Sequence, residues 1–390
     1  MIVRRLEKKD LYDAGLVSHI AFHFRAEDIE AERAKWENNP AEEDWGAFTE
    51  DGQIMARIIN NHFESRIDGH PVRNGGIGEV STLPEYRGTG AVRGIFDQLL
   101  PEARKNGEVI STLYPFLHAF YRKFGYETLT YRNRFTLTPA QLKGCPQPGW
   151  VRQWKPGDEV GEFTRIYTRF AEGYNLAIAR DDRRMGKEHV GGLFYKDRRF
   201  AYLMGDGTEP NAYVVFQDIH DPEGARMEVR EIAWTDRKGF LSALGFLSRF
   251  TADYRGTVIY LPTNLDLRVY AQNPYEIKYE PQCDHMIRVV NAEKLLALID
   301  KPDGKEFVIS VSGDAQIPEN NGTWLVRGNE AVPTDRAPDL SVSVRALGQM
   351  AVGGIELGAA ELREDVEVFS NRETLRNVFR RKPIFVGDHF

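Results

Sequence analysis

Residues 83–93 read Leu-Pro-Glu-Tyr-Arg-Gly-Thr-Gly-Ala-Val-Arg, placing two glycines and two arginines at the mouth of a helix. A helix N-terminus leaves backbone N–H groups without intrahelical acceptors and carries a partial positive charge. Gly88 and Gly90 would let a phosphate approach the backbone, and Arg87 and Arg93 would add charged donors. The chemistry that suits this stretch is capture of a pyrophosphate. It is not the Walker pattern, because no Gly-Lys-Ser/Thr follows. Nor is "GGIGEV", at 75–80, a dinucleotide fingerprint: the pattern is incomplete and leads into a strand.

The elements around this turn follow from periodicity. "DWGAFTEDGQIMARIINNHFESRIDGHPVRNGGIGEVSTLP" reads as strands broken by Asp-Gly and Asn-Gly turns. The next stretch puts Val92, Ile95, Phe96, Leu99 and Leu100 on one helical stripe, with a kink or restart expected at Pro101. "EVISTLYP" reads as a buried strand, and "FLHAFYRKFGYETLTYRNRFTL" as a short helix, a glycine turn and a closing pair of strands. A Pro- and Gly-rich junction at 138–159 precedes what reads as a second copy. "MEVREIAWTDRKGFLSALGFLSRFTADYRGTVIYLP" repeats the order strand, turn, helix, Gly, strand, Pro, but without the Arg-Gly-x-Gly turn. From about 284 the pattern changes to alternating strands and short helices, an α+β unit with antiparallel strands and an aromatic last residue that suggests a docked end.

The Arg87-x-x-Gly90 turn after "GEVSTLP" resembles motif A of the GNAT family of acetyl-CoA-dependent N-acetyltransferases. Tyr121-Arg-Lys-Phe-Gly125-Tyr126 resembles that family's Tyr-x-x-x-Gly-aromatic element. At Val92 many members carry Gly or Ala, while one subgroup has a bulkier residue followed by Arg, as in Val92-Arg93. The whole layout resembles the Eis-type N-acetyltransferases. The resemblance implies a mixed α/β (α+β) fold in three domains: a GNAT domain at 1–145, a degenerate GNAT-like domain at 146–283 and a sterol-carrier-protein-like domain at 284–390. It implies acetyl-CoA as co-substrate, bound by Val80, Ser81 and Thr82 on a strand and by Arg87, Gly88, Thr89, Gly90, Ala91, Val92 and Arg93 in the turn. It also implies a symmetric homo-oligomer, often a hexamer.

By the same resemblance an amine attacks the thioester directly. Such a reaction needs a deprotonated amine, a stabilised oxyanion and a protonated leaving thiolate. Tyr121 is the candidate general acid, since a phenol is protonated at neutral pH; the competing reading makes it a core aromatic beside Phe116, Phe120 and Phe124. The resemblance assigns the general base to the C-terminal carboxylate, here that of Phe390. A free α-carboxyl is a weak base, and burial or the nearby Asp388 would strengthen it. Glu79, acting through water, is the competing base. In the family the N-terminal region resembles the acceptor-pocket wall, which here names Phe24, Asp28 and Trp36. Aromatic faces beside carboxylates suit a polycationic amine, so the expected acceptors are aminoglycosides, polyamines or lysine side chains.

The bulk composition agrees with this reading. Of 390 residues, 51 are Lys or Arg and 58 Asp or Glu, a net charge of −7 that argues against a nucleic-acid partner. Two cysteines make neither a disulfide framework nor a zinc cluster, and His19 with His23 gives too few ligands for a metal site. The charged start "MIVRRLEKKD" and the lack of any run near ~18 apolar residues point to a cytoplasmic protein with no membrane span. The reading from another class is a binding protein for lipids or hydrophobic ligands with a vestigial acetyltransferase domain. The intact Arg87, Gly90 and Tyr121 set argues against it.

Overall fold

The computed structural model describes residues 1–23, 43–191, 198–222 and 224–390. The chain is mixed α/β and forms two compact units: Met1–Leu129 with Asp284–Arg381 and His389–Phe390, and Thr130–Cys283 with Lys382–Asp388.

The first unit is organised by a long hairpin. Strands β3 (Ile54–Ile67) and β4 (His70–Thr82) turn at Asp68-Gly69, where both φ values are positive, 49° and 81°. That is the backbone a tight two-residue hairpin requires, and Asp-Gly supplies it. β1 (Ile2–Arg5) and β2 (Asp44–Phe48) extend the sheet antiparallel from β3. β5 (Ile110–Leu113) pairs parallel to β4. β14 (His285–Val289) lies between β5 and β6 (Glu127–Leu129), antiparallel to both.

Helix α1 (Leu11–Ala21) packs on β3 and β4, and α2 (Ala91–Lys105) makes the crossover from β4 to β5. Its buried stripe of Ile95, Phe96, Leu99, Leu100 and Ala103 is the one expected from spacing, with Val92 half-buried at its edge. The helix runs through Pro101 without interruption. One missing N–H donor does not break it, because neighbours of the proline on both sides are anchored in the core.

The second unit repeats this plan. Its sheet runs β8 (Trp150–Gln153), β9 (Arg199–Gly205), β10 (Ala212–Asp221), β11 (Gly224–Trp234), β12 (Gly256–Leu261), β7 (Arg132–Leu137), β13 (Lys278–Gln282). β11 pairs parallel to β12 across a helical crossover, Arg237–Ser248, as β4 does to β5. β7, which lies within the first expected domain, belongs to the second sheet, and β14 returns to the first. Periodicity identifies a strand but carries no information on which sheet edge it fills.

The crossover helix of the second copy begins differently. Asp236 caps it, its side chain accepting from the Gly239 N–H at 2.8 Å. A carboxylate of the chain itself therefore occupies the position that an anionic ligand would need.

The C-terminal part of the first unit has a five-stranded sheet, β17 (Glu330–Pro333), β16 (Gly322–Arg327), β15 (Glu306–Ser312), β18 (Leu340–Ser343), β19 (Val366–Val368). It is antiparallel except for the parallel pair β15–β18, one departure from the expected pattern.

An ion cluster ties β2, β3 and the start of β5 together. His62 on β3 lies between two buried carboxylates, Nδ1 at 3.0 Å from Glu108 and Nε2 at 2.9 Å from Glu43. Trp45 donates to Glu43 at 2.7 Å, Asn60 donates to Glu108 at 2.9 Å, and Arg5 stands 3.5 Å from Glu43. The bonds to Glu108 and then Glu43 push the imidazole up to about 10. A raised pKa stabilises the fold fully below the unfolded value, near 6.5, and the contribution is lost as pH climbs to the folded value. Denaturation at stepped pH should therefore show stability falling between about pH 6.5 and 10. The His62→Gln chain should lack most of that slope; an identical slope in both would remove the cluster from the account.

Candidate active site

The site begins where β4 leaves β5. Their pairing ends at Ile77↔Leu113, yet β4 continues to Thr82 against β3 alone. A bulge at this point places Glu79 in the left-handed region, φ 52°. The extra residue bends β4 and increases its twist, so the two parallel strands separate. Arg57 braces the bend from β3. It is ion-paired to Asp44 at 2.6 Å, donates to Ser18 at 3.3 Å and stands 3.9 Å from the Glu79 carboxylate. Beyond the bulge the Leu83 N–H donates to Met55 on the β3 side. Successive N–H groups of a strand alternate, so that of Thr82 faces the other edge, where β5 is absent.

That edge opens into a cavity of about 660 Å³. Its walls are Val80, Ser81 and Thr82 from β4; Tyr86, Arg87, Gly88 and Gly90 from the turn; Ala91, Val92 and Arg93 from α2; Ala21 and Phe22 from the end of α1; and Phe116, Phe120, Lys123 and Phe124 beyond β5. Gly88 and Gly90 have φ of 80° and 88°, and a Cβ on either would meet nothing within 4 Å. They are glycines because of backbone conformation, and the space before them is open to a ligand. Gly90 is the N-cap of α2 and offers no side-chain cap, so the first-turn N–H groups face outward. Arg87, Arg93 and Lys123 bring three cations to one cavity. The Arg93 guanidinium also lies over the Phe124 ring at 5.5 Å. Backbone donors, a helix N-terminus and three cations fit a pyrophosphate.

Nine of the ten residues expected to hold the cofactor line this cavity. Thr89 is the exception; its hydroxyl turns back onto the Tyr86 carbonyl at 2.7 Å. Phe24, Asp28 and Trp36 lie outside the described residues. Ala21, Phe22, Tyr86, Phe116, Phe120, Lys123 and Phe124 complete the wall and were not assigned there from sequence. Lys123 sits two residues from Tyr121, and a cation in that element was the available signal.

Tyr121, in the short helix His118–Arg122, is 2% exposed and packs against the lining residues Phe116 and Phe120. Its ring centroid is 5.3 Å from that of Phe116, 5.1 Å from Phe120 and 6.5 Å from Phe96. Burial, with a smaller effect of Tyr126, pushes its phenol well above the ordinary range, so it is protonated at neutral pH. The following turn is held by Arg288 on β14. This fully buried guanidinium donates to the Phe124 carbonyl at 2.7 Å and to Asp314 at 2.7 Å. Gly125 has φ 81°, and a Cβ there would come within 3.3 Å of the Arg288 Nε. The positive φ favours glycine, and a Cβ would press on the guanidinium. Arg288 lies 163 residues beyond Gly125, and nothing in its local pattern marked it.

The chain ends on β4. The Phe390 ring packs edge-on against Phe63 at 4.9 Å and Tyr114 at 5.6 Å. Its terminal carboxyl carbon lies 3.4 Å from where a Cβ of Gly78 would stand. Asp388 does not have a free charge to raise a neighbour's pKa. It is fully buried, ion-paired to Arg180 at 2.9 Å and Arg184 at 3.0 Å, and 3.1 Å from His189. Burial opposes its charge, but Arg180 and His189 outweigh it and hold the carboxyl far below the usual range. Glu79 faces Arg57 and does not line the cavity.

A splayed parallel pair with a glycine turn and an uncapped helix start beside it is an arrangement that would seat the pyrophosphate of an acyl-CoA. Residues 2–129 match the family model of the acetyltransferase (GNAT) domain, and residues 293–386 that of the sterol carrier protein domain. An uncharacterized N-acetyltransferase of Streptomyces coelicolor is 24% identical over 342 residues, 80% of each chain. A GCN5-related N-acetyltransferase from Anabaena variabilis has the same fold over the whole of both chains, with a TM-score of 0.87 and 18% identity. Eis1 from Mycobacterium abscessus does likewise, at 0.83 and 18%. The chain carries a GNAT acetyltransferase domain, which uses acetyl-CoA as co-substrate, together with a sterol carrier protein domain, and it shares its whole fold with Eis1. Among the described residues no helix is long and apolar enough to cross a membrane.

Proposed function

We propose that the chain transfers acetyl from acetyl-CoA to a primary amine of an aminoglycoside, a polyamine or a lysine side chain. The reading rests on one observation above the others. The terminal carboxylate lies against β4 at Gly78, two residues before the strand segment that lines the cofactor cavity. The Phe390 carboxylate takes the proton of the attacking amine. The new C–N bond forms as the C–S bond breaks, N–H groups of the 80–82 edge hold the oxyanion, and Tyr121 gives its proton to the leaving sulfur. Such oxyanion donors are worth roughly 3–4 kcal/mol in kcat. The buried phenol stays protonated until charge grows on the sulfur. We carry the homo-oligomer, and the roles of Phe24, Asp28 and Trp36, on the resemblance alone.

The test is thiol release from acetyl-CoA with a panel of aminoglycosides, polyamines and lysine peptides. Turnover with at least one of these classes is expected. Tyr121→Phe should lower kcat by about 10²-fold or more with little change in the KM for acetyl-CoA. Unchanged kcat in Tyr121→Phe would leave the tyrosine a core aromatic.

A further inference from the structure

The stretch Asn74-Gly75-Gly76-Ile77-Gly78 puts three glycines in a strand, where glycine is disfavoured. None of the three has a positive φ, so conformation does not explain them. Space does. Gly76 and Gly78 lie on the same face of β4 by the period of two. A Cβ at Gly76 would stand 2.2 Å from the Phe63 ring and 2.9 Å from the Phe390 ring. One at Gly78 would meet the Phe390 carboxyl carbon at 3.4 Å, the Asn61 Nδ2 at 3.5 Å and the Phe390 carbonyl oxygen at 3.7 Å. The first position has no room for a methyl group. The second accepts a methyl in ordinary contact, against the Phe390 carboxylate.

We propose that Gly76 and Gly78 are positioning residues. Their bare backbone forms the trough that seats Phe390, and side-chain size at position 78 sets where the terminal carboxylate stands. The functional half of this inference rests on the reading of Phe390 as the base; the seat itself does not. Gly78 is outside the cavity lining, so a change there acts on the carboxylate and leaves the cofactor wall in place.

The experiment compares Gly78→Ala and Gly78→Val in the full chain and in a chain lacking Phe390. Alanine, whose methyl meets the Phe390 carboxyl carbon only at ordinary contact distance, should cost much less turnover than valine. Valine suits a strand but adds methyls where the carboxylate lies. A displacement of about 1 Å should lower kcat by about 10²-fold, at unchanged KM for acetyl-CoA. In the chain lacking Phe390, valine should cost nothing further. A second readout needs no activity: carboxypeptidase should release residue 390 faster from Gly78→Val than from the native chain. Gly78→Ser replaces the valine variant if thermal melting shows that valine does not fold. Native kcat with a native release rate would overturn the seat, as would an equal loss in both backgrounds. If deletion of Phe390 leaves turnover intact, the base assignment fails, and the release rates still decide whether the glycines hold the terminus.

Discussion

Deleting Phe390 is expected to lower kcat for acetyl transfer by 10²- to 10⁴-fold, the usual contribution of a general base. Deletion leaves a new carboxylate on His389, one residue short, about 3.8 Å back along the chain. It also removes a ring that contacts Phe63 and Tyr114. Adding one alanine after Phe390 separates the two effects. The ring is retained while the carboxylate becomes an amide, and an amide cannot take the amine's proton. Both variants should bind acetyl-CoA with native affinity, since Phe390 does not line the cavity. Stopped assays with saturating acetyl-CoA and amine give kcat, and isothermal titration gives the affinity. Full turnover in the extended chain would move the base to Glu79 or to solvent.

The largest expected effect on stability comes from Arg288→Ala. The guanidinium is fully buried, reaches the Phe124 carbonyl and Asp314, and also donates to the Val289 carbonyl at 2.5 Å. Its loss leaves the Asp314 carboxylate in the interior without that cation. Asn320 and the Ile317 N–H still donate to Asp314, but neither carries charge. Breaking one side of a buried pair costs about 3–5 kcal/mol, or roughly 6–20 °C in Tm for a unit of this size. The Phe124 wall should loosen as well, weakening acetyl-CoA binding. Arg288→Lys keeps the charge but not the directed fork and should fall between. Replacing both partners, Arg288→Met with Asp314→Leu, should recover much of the loss, because the unpaired charge is then gone. A melt of Arg288→Ala within 2 °C of native would contradict this account of the turn.

The geometry of the glycine turn was legible because it is local. Gly88 and Gly90 are required by φ values set within four residues, and the cations beside them are neighbours in sequence. The stripe of α2 was equally legible from its spacing. The repeat was legible as an order of elements, and the loss of the glycine turn in the second copy has a local structural counterpart in the Asp236 cap.

The sequence by itself determined a glycine turn flanked by arginines at a helix start, the Tyr121 element and the duplicated strand–helix–strand order. Tertiary structure decided what those parts touch. It sent β7 and β14 to sheets that adjacency in sequence does not suggest, put Arg288 under the Gly125 turn, paired His62 with Glu43 and Glu108, and laid Phe390 on Gly76 and Gly78. The reason is physical. Backbone conformation and helical periodicity are settled by residues a few positions apart. Burial of a charge, the closing of a sheet edge and the emptiness beside a glycine depend on groups tens to hundreds of residues away, and only the folded chain brings those groups together.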